Sequence, residues 1–210
     1  MKLPILVFGL VLALAGGSSA LTLADLSSGA SFNAGPLSFG HFVVTPTGAI
    51  DSNLADYQVQ TLADGFRILG GFGVFDGDQG SMHISYDVTD SSPQGLDGLG
   101  LTFDGSASAK GSGAMVTENV LDAGNHHLAS ASVFASGGGG AQMSNTASLG
   151  GAQTNLHVEE GIVLKSVGLA SAAATSAIDG QFTAMPEPGT LLLLTSGMTG
   201  LFVMARKREN

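Results

Sequence analysis

The sequence contains no cysteine and no tryptophan, and fixed positive charge is scarce. Without cysteine there can be no disulfide and no thiolate-bound zinc, so stability has to come from buried surface. Without tryptophan, the core falls to Phe, Leu, Ile and Val, diluted with much Ala and Gly. Between Leu21 and Ala184 the only fixed cations are Arg67, Lys110 and Lys165, against 15 acidic residues (the chain's 17 less Glu187 and Glu209), a net charge of −12. Three scattered cations cannot neutralise a run of phosphates, which excludes nucleic acid as a partner. The same charge keeps the body soluble and repels anionic lipid. There is no Gly-x-Gly-x-x-Gly after a strand, no Walker-type Gly-Lys-Ser/Thr and no Gly-x-Ser-x-Gly elbow, so no nucleotide cofactor or activated serine is signalled. No cofactor is expected. A body of about 164 residues is ample for one domain and buries roughly two-thirds of its surface.

What is present begins at the two ends. Met1-Lys2, an apolar run from Leu3 to Ala15, and Gly16-Gly17-Ser18-Ser19-Ala20 make the positive, apolar and small-x-small parts of a secretory signal peptide. Ser18 and Ala20 hold the small positions, so signal peptidase is expected to cut after Ala20. The run is shorter than the ~20 residues of a spanning helix, which argues against an uncleaved anchor. The other end reads Met185-Pro186-Glu187-Pro188-Gly189, then 16 apolar or small residues from Thr190 to Ala205, then Arg206-Lys207-Arg208-Glu209-Asn210. As a helix those residues would reach about 24 Å, short of the ~30 Å hydrocarbon core. Such a helix holds the chain in the inner membrane transiently, with Arg206, Lys207 and Arg208 as the cytoplasmic stop-transfer cluster and the body outside. Two prolines keep Glu187 in an extended, protease-accessible segment beside the membrane.

Pro186-Glu187-Pro188, the brief hydrophobic stretch and the terminal Arg206-Lys207-Arg208 together resemble the PEP-CTERM sorting signal of Gram-negative bacteria. The resemblance covers about 24 of the 210 residues and takes its specificity from order, position and the signal peptide at the other end. It implies sorting by an exosortase, a membrane protease-transpeptidase, to the cell surface or outside the cell. It also implies an association with exopolysaccharide and biofilm. An ordinary tail anchor with a proline linker is the alternative. The expected organisation is a signal peptide over 1–20, a secreted acidic domain over 21–184, and the sorting region over 185–210.

Inside the body, glycine interrupts the chain throughout and no long segment keeps a 3.6-residue apolar period; a single helical turn is possible over Leu21–Leu26. Strands are predicted near Ser38–Val44, Tyr57–Thr61, Phe66–Phe75, Ser81–Thr89, Gly100–Ser106, Gly113–Val120, Leu128–Ala135, Thr154–Val158, Ile162–Leu169 and Ala177–Thr183. Met82, Ile84, Tyr86 and Val88 alternate with polar neighbours, the mark of a strand with one buried face. Asp64-Gly65, Asp76-Gly77-Asp78, Asp97-Gly98, Asp104-Gly105 and Asp179-Gly180 read as turns, Gly137–Gly140 as a flexible loop, and Ser136–Gly151 as a long connection. The fold class is therefore all-β: a single β-sandwich or jelly-roll-like domain, flanked by an N-terminal signal helix and a short C-terminal transmembrane helix.

Few residues invite chemistry. Asp76, Asp78 and Asp87 are spaced like part of a calcium loop, but Gly80 and Ser81 stand where that loop needs a ligand and a glycine, and the flanks read as strands. His126 and His127 are adjacent, so in a strand they point apart, and His41, His83 and His157 fall at no ligand spacing from them. His41 and His83 are expected to face solvent. Glu159-Glu160 could serve a glycosidase only around a cleft, and reads as a solvated turn. The leading expectation is a non-enzymatic surface or matrix protein. A secreted carbohydrate-binding module is the alternative, although the two tyrosines, Tyr57 and Tyr86, offer little for sugars to stack on. Hydrolysis would need a Ser–His–carboxylate set that the sequence does not display. Thr45-Pro46-Thr47 is the only Thr-x-Thr in the body, too little for an ice-binding Thr array.

Overall fold

Alternation along the strands decides the architecture. Met82, Ile84, Tyr86 and Val88 are all buried, while the residues between them are partly or fully exposed, so this segment lies in a sheet with one face on a core. The computed structural model describes residues 20–185. Ser18, the Pro186-Glu187-Pro188 motif, the expected membrane helix and the Arg206–Arg208 cluster lie outside the described residues; Ala20 is the first of them and is exposed.

Two antiparallel sheets face each other. The six-stranded sheet runs, edge to edge, β1 (Leu21–Thr22), β4 (Gln58–Thr61), β5 (Gly65–Phe75), β13 (Ala172–Ala184), β7 (Leu96–Ala107) and β11 (Ser144–Gln153). The seven-stranded sheet runs β10 (Ala141–Gln142), β9 (His127–Ser136), β8 (Gly113–Asp122), β12 (Asn155–Lys165), β6 (Gln79–Asp90), β3 (Leu37–Gly48) and β2 (Phe32–Ala34). The helical turn near the start is α1 (Leu23–Ser27), fixed by a capping box between Thr22 and Asp25 that buries Leu23 and Leu26. Between the sheets, Phe32, Phe39, Phe42, Phe66, Tyr86 and Phe182 form one aromatic cluster with ring centroids 5.0–6.2 Å apart. No helix among the described residues is long and apolar enough to cross a membrane.

Four sequence expectations are corrected. The segment 136–151 is not a long connection: after a short turn it forms β10 and the edge strand β11. Ser, Asn, Ala and Gly are poor strand formers alone, but pairing with β7 supplies the backbone partners. The two strands expected at Thr154–Val158 and Ile162–Leu169 are one, β12, and residues beyond Lys165 leave the sheet. Glu159-Glu160 is consequently no solvated turn: Glu160 points into the core and is buried. Asp97-Gly98, Asp104-Gly105 and Asp179-Gly180 lie inside β7 and β13 rather than in turns. Asp179 there makes a bidentate ion pair with Arg67, both contacts 2.6 Å.

Asp76-Gly77 does make a turn. Phe75 accepts the N–H of Asp78 at 2.9 Å, and both central residues have positive φ (54° and 95°), the type I′ geometry that joins β5 to β6.

Candidate functional site

The outer face of the seven-stranded sheet is built by the strands whose inner residues make the core. Register aligns its outward side chains into rows running across β3, β6, β12, β8 and β9. One row is Thr47, Ser81, Val163, Met115 and Phe134; the next is Thr45, His83, Gly161, Thr117 and Ser132. Then come Val43, Ser85, Glu159, Asn119 and Ser130, and finally Asp87, His157, Leu121 and His127, with the bulge of β3 at His41 beside Asp87. From the first row to the last the face spans about 20 Å along the strands.

The face is mostly polar and held laterally. Thr47 and Ser81 hydroxyls are 2.7 Å apart. Ser130 donates to Asn119 Oδ1 at 2.7 Å, so His127 Nε2, 2.6 Å from the same hydroxyl, supplies an N–H to it. Val163, Met115 and Phe134 break the pattern: adjacent across three strands and 42%, 41% and 40% exposed, they form an apolar row at one end.

At the other end Asp87 lies between two imidazoles. His41 Nδ1 is 2.8 Å from Asp87 Oδ2, and His157 Nδ1 is 2.7 Å from Asp87 Oδ1. His157 reaches it directly across β12–β6; His41 reaches it because a register shift in β3 and a φ of 56° swing its side chain over. Partial burial pushes the Asp87 carboxyl up, but the hydrogen bonds from His157 and then His41 outweigh it and hold the group below the usual carboxylate range. An ionised carboxylate only accepts, so each Nδ1 carries a proton and donates to Asp87. Beside this triad is a cleft of about 330 Å³ lined also by Asp122, Asn125 and Asn155. Backbone and ring N–H groups of His126 hold the Asp122 carboxyl low as well.

The inner face of the same strands carries the opposite chemistry. Glu160 of β12 stands directly across from Glu118 of β8, both buried, and Tyr86 OH donates to Glu118 Oε1 at 2.7 Å. Burial pushes Glu118 up to about 7, against the Tyr86 hydrogen bond. It pushes Glu160 well above the carboxylate range, helped by the Glu118 charge. Among the described residues, Glu118 Oε2 and Glu160 Oε1 have no hydrogen-bond partner. Protonating one acid gives this register-paired group a donor as well as acceptors. Gly180 of β13 closes over the group: a Cβ there would lie 3.5 Å from both Glu118 Oε1 and Tyr86 OH.

The calcium spacing does not close into a site. Asp76 and Asp78 sit at the β5–β6 turn, where Asp76 Oδ1 accepts the Ala170 N–H at 2.8 Å, whereas Asp87 lies nine positions further along the extended β6. No group of three or more His, Asp or Glu among the described residues is arranged to hold a metal ion. In the His41–Asp87–His157 set the imidazoles turn N–H groups, not lone pairs, toward the carboxylate. His126 and His127 are exposed, as are His41 and His83.

No family model and no curated protein matches this chain. Among solved structures, it resembles TmCBM61 in complex with β-1,4-galactotriose at 13% identity and a TM-score of 0.39, over 68% of this chain and 88% of that one. It also resembles the N-terminal cellulose-binding domain of Cellulomonas fimi β-1,4-glucanase C (11%, TM-score 0.30, over 70% and 90%). A third is the xylan-binding module CBM15 (13%, TM-score 0.29, over 69% and 99%). These are loose likenesses in the course of the chain, and no site residue is carried across from them.

Proposed function

We propose that the chain is an exported cell-surface or extracellular-matrix protein, sorted by an exosortase, whose β-sandwich binds polysaccharide through the outer face of the seven-stranded sheet. The observation that carries this reading is that face: five neighbouring strands present hydroxyl, amide, imidazole and carboxylate groups in register, with the apolar row Val163–Met115–Phe134 at one end. A sugar chain has hydroxyls that donate and accept, and C–H faces that are apolar, so it complements a rigid surface of this mixed kind. The acidic body favours neutral over anionic glycans. In this reading the module binds and does not cut, because its close pair of carboxyls, Glu118 and Glu160, is sealed between the sheets.

Retardation in native gels containing soluble xylan, galactan or β-glucan tests the binding. Asn119→Ala combined with Phe134→Ala is expected to weaken retardation about tenfold, since it removes a central polar contact and the aromatic of the apolar row. No retardation of the parent protein by any of the three would overturn the reading. Intact mass from cells with and without exosortase tests the sorting: a product beginning at Leu21, ending near Pro186 and found outside the cell is expected only with the enzyme. A product that keeps Arg206-Lys207-Arg208 in the membrane of both strains would make the tail a plain anchor.

A further inference from the structure

The six-stranded sheet carries a hollow of about 300 Å³ on its own outer face, on the opposite side of the molecule. Two irregularities meet there. Between Leu69 and Phe72, β5 holds one residue more than β13, a bulge at Gly70-Gly71. Next to it β13 holds one residue more than β7, a bulge at Ser176. Bulges in adjacent strands bend the sheet locally and re-aim its side chains. The hollow is lined by Gly71, Gly73, Phe75, Asp104, Ala174 and Ser176. Phe75 is 59% exposed and its ring lies back toward Gly73, where an added Cβ would be 3.4 Å from the ring edge. Asp104 Oδ2 accepts from Ser176 Oγ at 3.2 Å.

Gly71 is the telling residue. A Cβ built on it meets no atom within 4 Å, and its φ is not in the left-handed range, so neither packing nor backbone conformation demands glycine. A glycine inside a strand costs stability and here leaves the floor of the hollow open, as a position does where a ligand comes close to the backbone.

We infer that this hollow is a second glycan contact, taking one pyranose ring of a neutral polysaccharide with its apolar face on Phe75 and its hydroxyls on the Asp104–Ser176 pair. The carboxylate and the acidic body exclude an anionic sugar from it. The inference rests on the reading that the protein binds neutral polysaccharide. It adds that the sandwich has two such faces pointing in opposite directions, so that one molecule bridges two polysaccharide chains and gains avidity from doing so.

The test uses the full chain with soluble xylan, galactan and β-glucan, and reads gel retardation for binding and turbidity for bridging. The parent protein is expected to give both. Gly71→Val, which fills the hollow, and Phe75→Ala, which removes its exposed wall, are each expected to leave the melting temperature within a degree or two and retain retardation. Both should lose turbidity, with about tenfold weaker binding of short oligosaccharides at this face. Turbidity unchanged in both variants would overturn the hollow and leave the seven-stranded face standing. Binding abolished by Gly71→Val and untouched by Asn119→Ala with Phe134→Ala would keep the hollow and overturn the other face. A parent protein that binds none of the three polysaccharides overturns both.

Discussion

Residues 86 and 87 are neighbours in β6, yet they belong to carboxylate centres driven in opposite directions. Asp87 is on the outside, half exposed, with two imidazole N–H groups on its oxygens, and is held ionised. Tyr86, on the inside, hydrogen-bonds Glu118, which with Glu160 is sealed from water and pushed toward the neutral form. The strand's two-residue period alone separates them. A carboxylate's role here is set by which face it is on and by what faces it, not by its place in the sequence.

That contrast can be broken most forcefully from inside. Glu118→Ala removes the acceptor of a buried tyrosine hydroxyl and leaves a cavity, and is expected to cost about 2–4 kcal/mol in denaturant unfolding at pH 5. A cost under 0.5 kcal/mol would mean the Tyr86–Glu118 contact contributes little.

Next comes pH. A buried acid whose folded pKa is raised keeps its proton when the unfolded chain has lost it. Its stabilisation is therefore complete below the unfolded value of 4.5 and is lost as pH rises through about 7. Thermal unfolding should thus show a fall in stability on the order of 3 kcal/mol between pH 5 and pH 8. Glu118→Gln with Glu160→Gln should flatten that fall and raise the melting temperature at pH 8. A steeper fall in the double variant would contradict the assignment.

The smallest effect lies outside. Asp87 is held below its ordinary 3.8, so its stabilisation is present above that value and is lost as pH falls through the depressed one, the reverse slope. Because the group is 44% exposed, Asp87→Asn should cost only about 0.5–1 kcal/mol at pH 7, a cost that shrinks as pH falls below 3.8. If Asp87→Asn and the glutamine pair moved the pH profile the same way, inside and outside would not differ as described.

Much of the sandwich was legible beforehand, and the reasons are local. Met82, Ile84, Tyr86 and Val88 display their alternation openly, and seven of the ten predicted strands lie within an observed one. Glu160 was hidden by its neighbours: Glu159-Glu160-Gly161 looks like a polar break, because sequence cannot show that only Glu159 and Gly161 face out. Strand β11 was hidden by composition, being held by β7 rather than by its own residues. Gly98 and Gly105 look like turns because the other reason for glycine, a side chain lying over its backbone (Thr183 over Gly98, Phe103 over Gly105), is visible only in three dimensions. The His41–Asp87–His157 set was beyond reach. Its members are 46 and 70 residues apart and meet through a strand register and one bulge that no local signal announces.

The position of β13 has a consequence for assembly. It is the last strand of the sandwich, yet it lies in the interior of its sheet, hydrogen-bonded to β5 on one side and β7 on the other. Until residues 172–184 are in place, both of those strands present bare edges and Gly180 is not over the buried acids. Such a chain cannot fold progressively as it emerges: its six-stranded sheet closes only when its final strand is available, and a chain cut short of it exposes two strand edges that pair readily with other molecules. Closure of the six-stranded sheet is thereby tied to completion of the chain through residue 184.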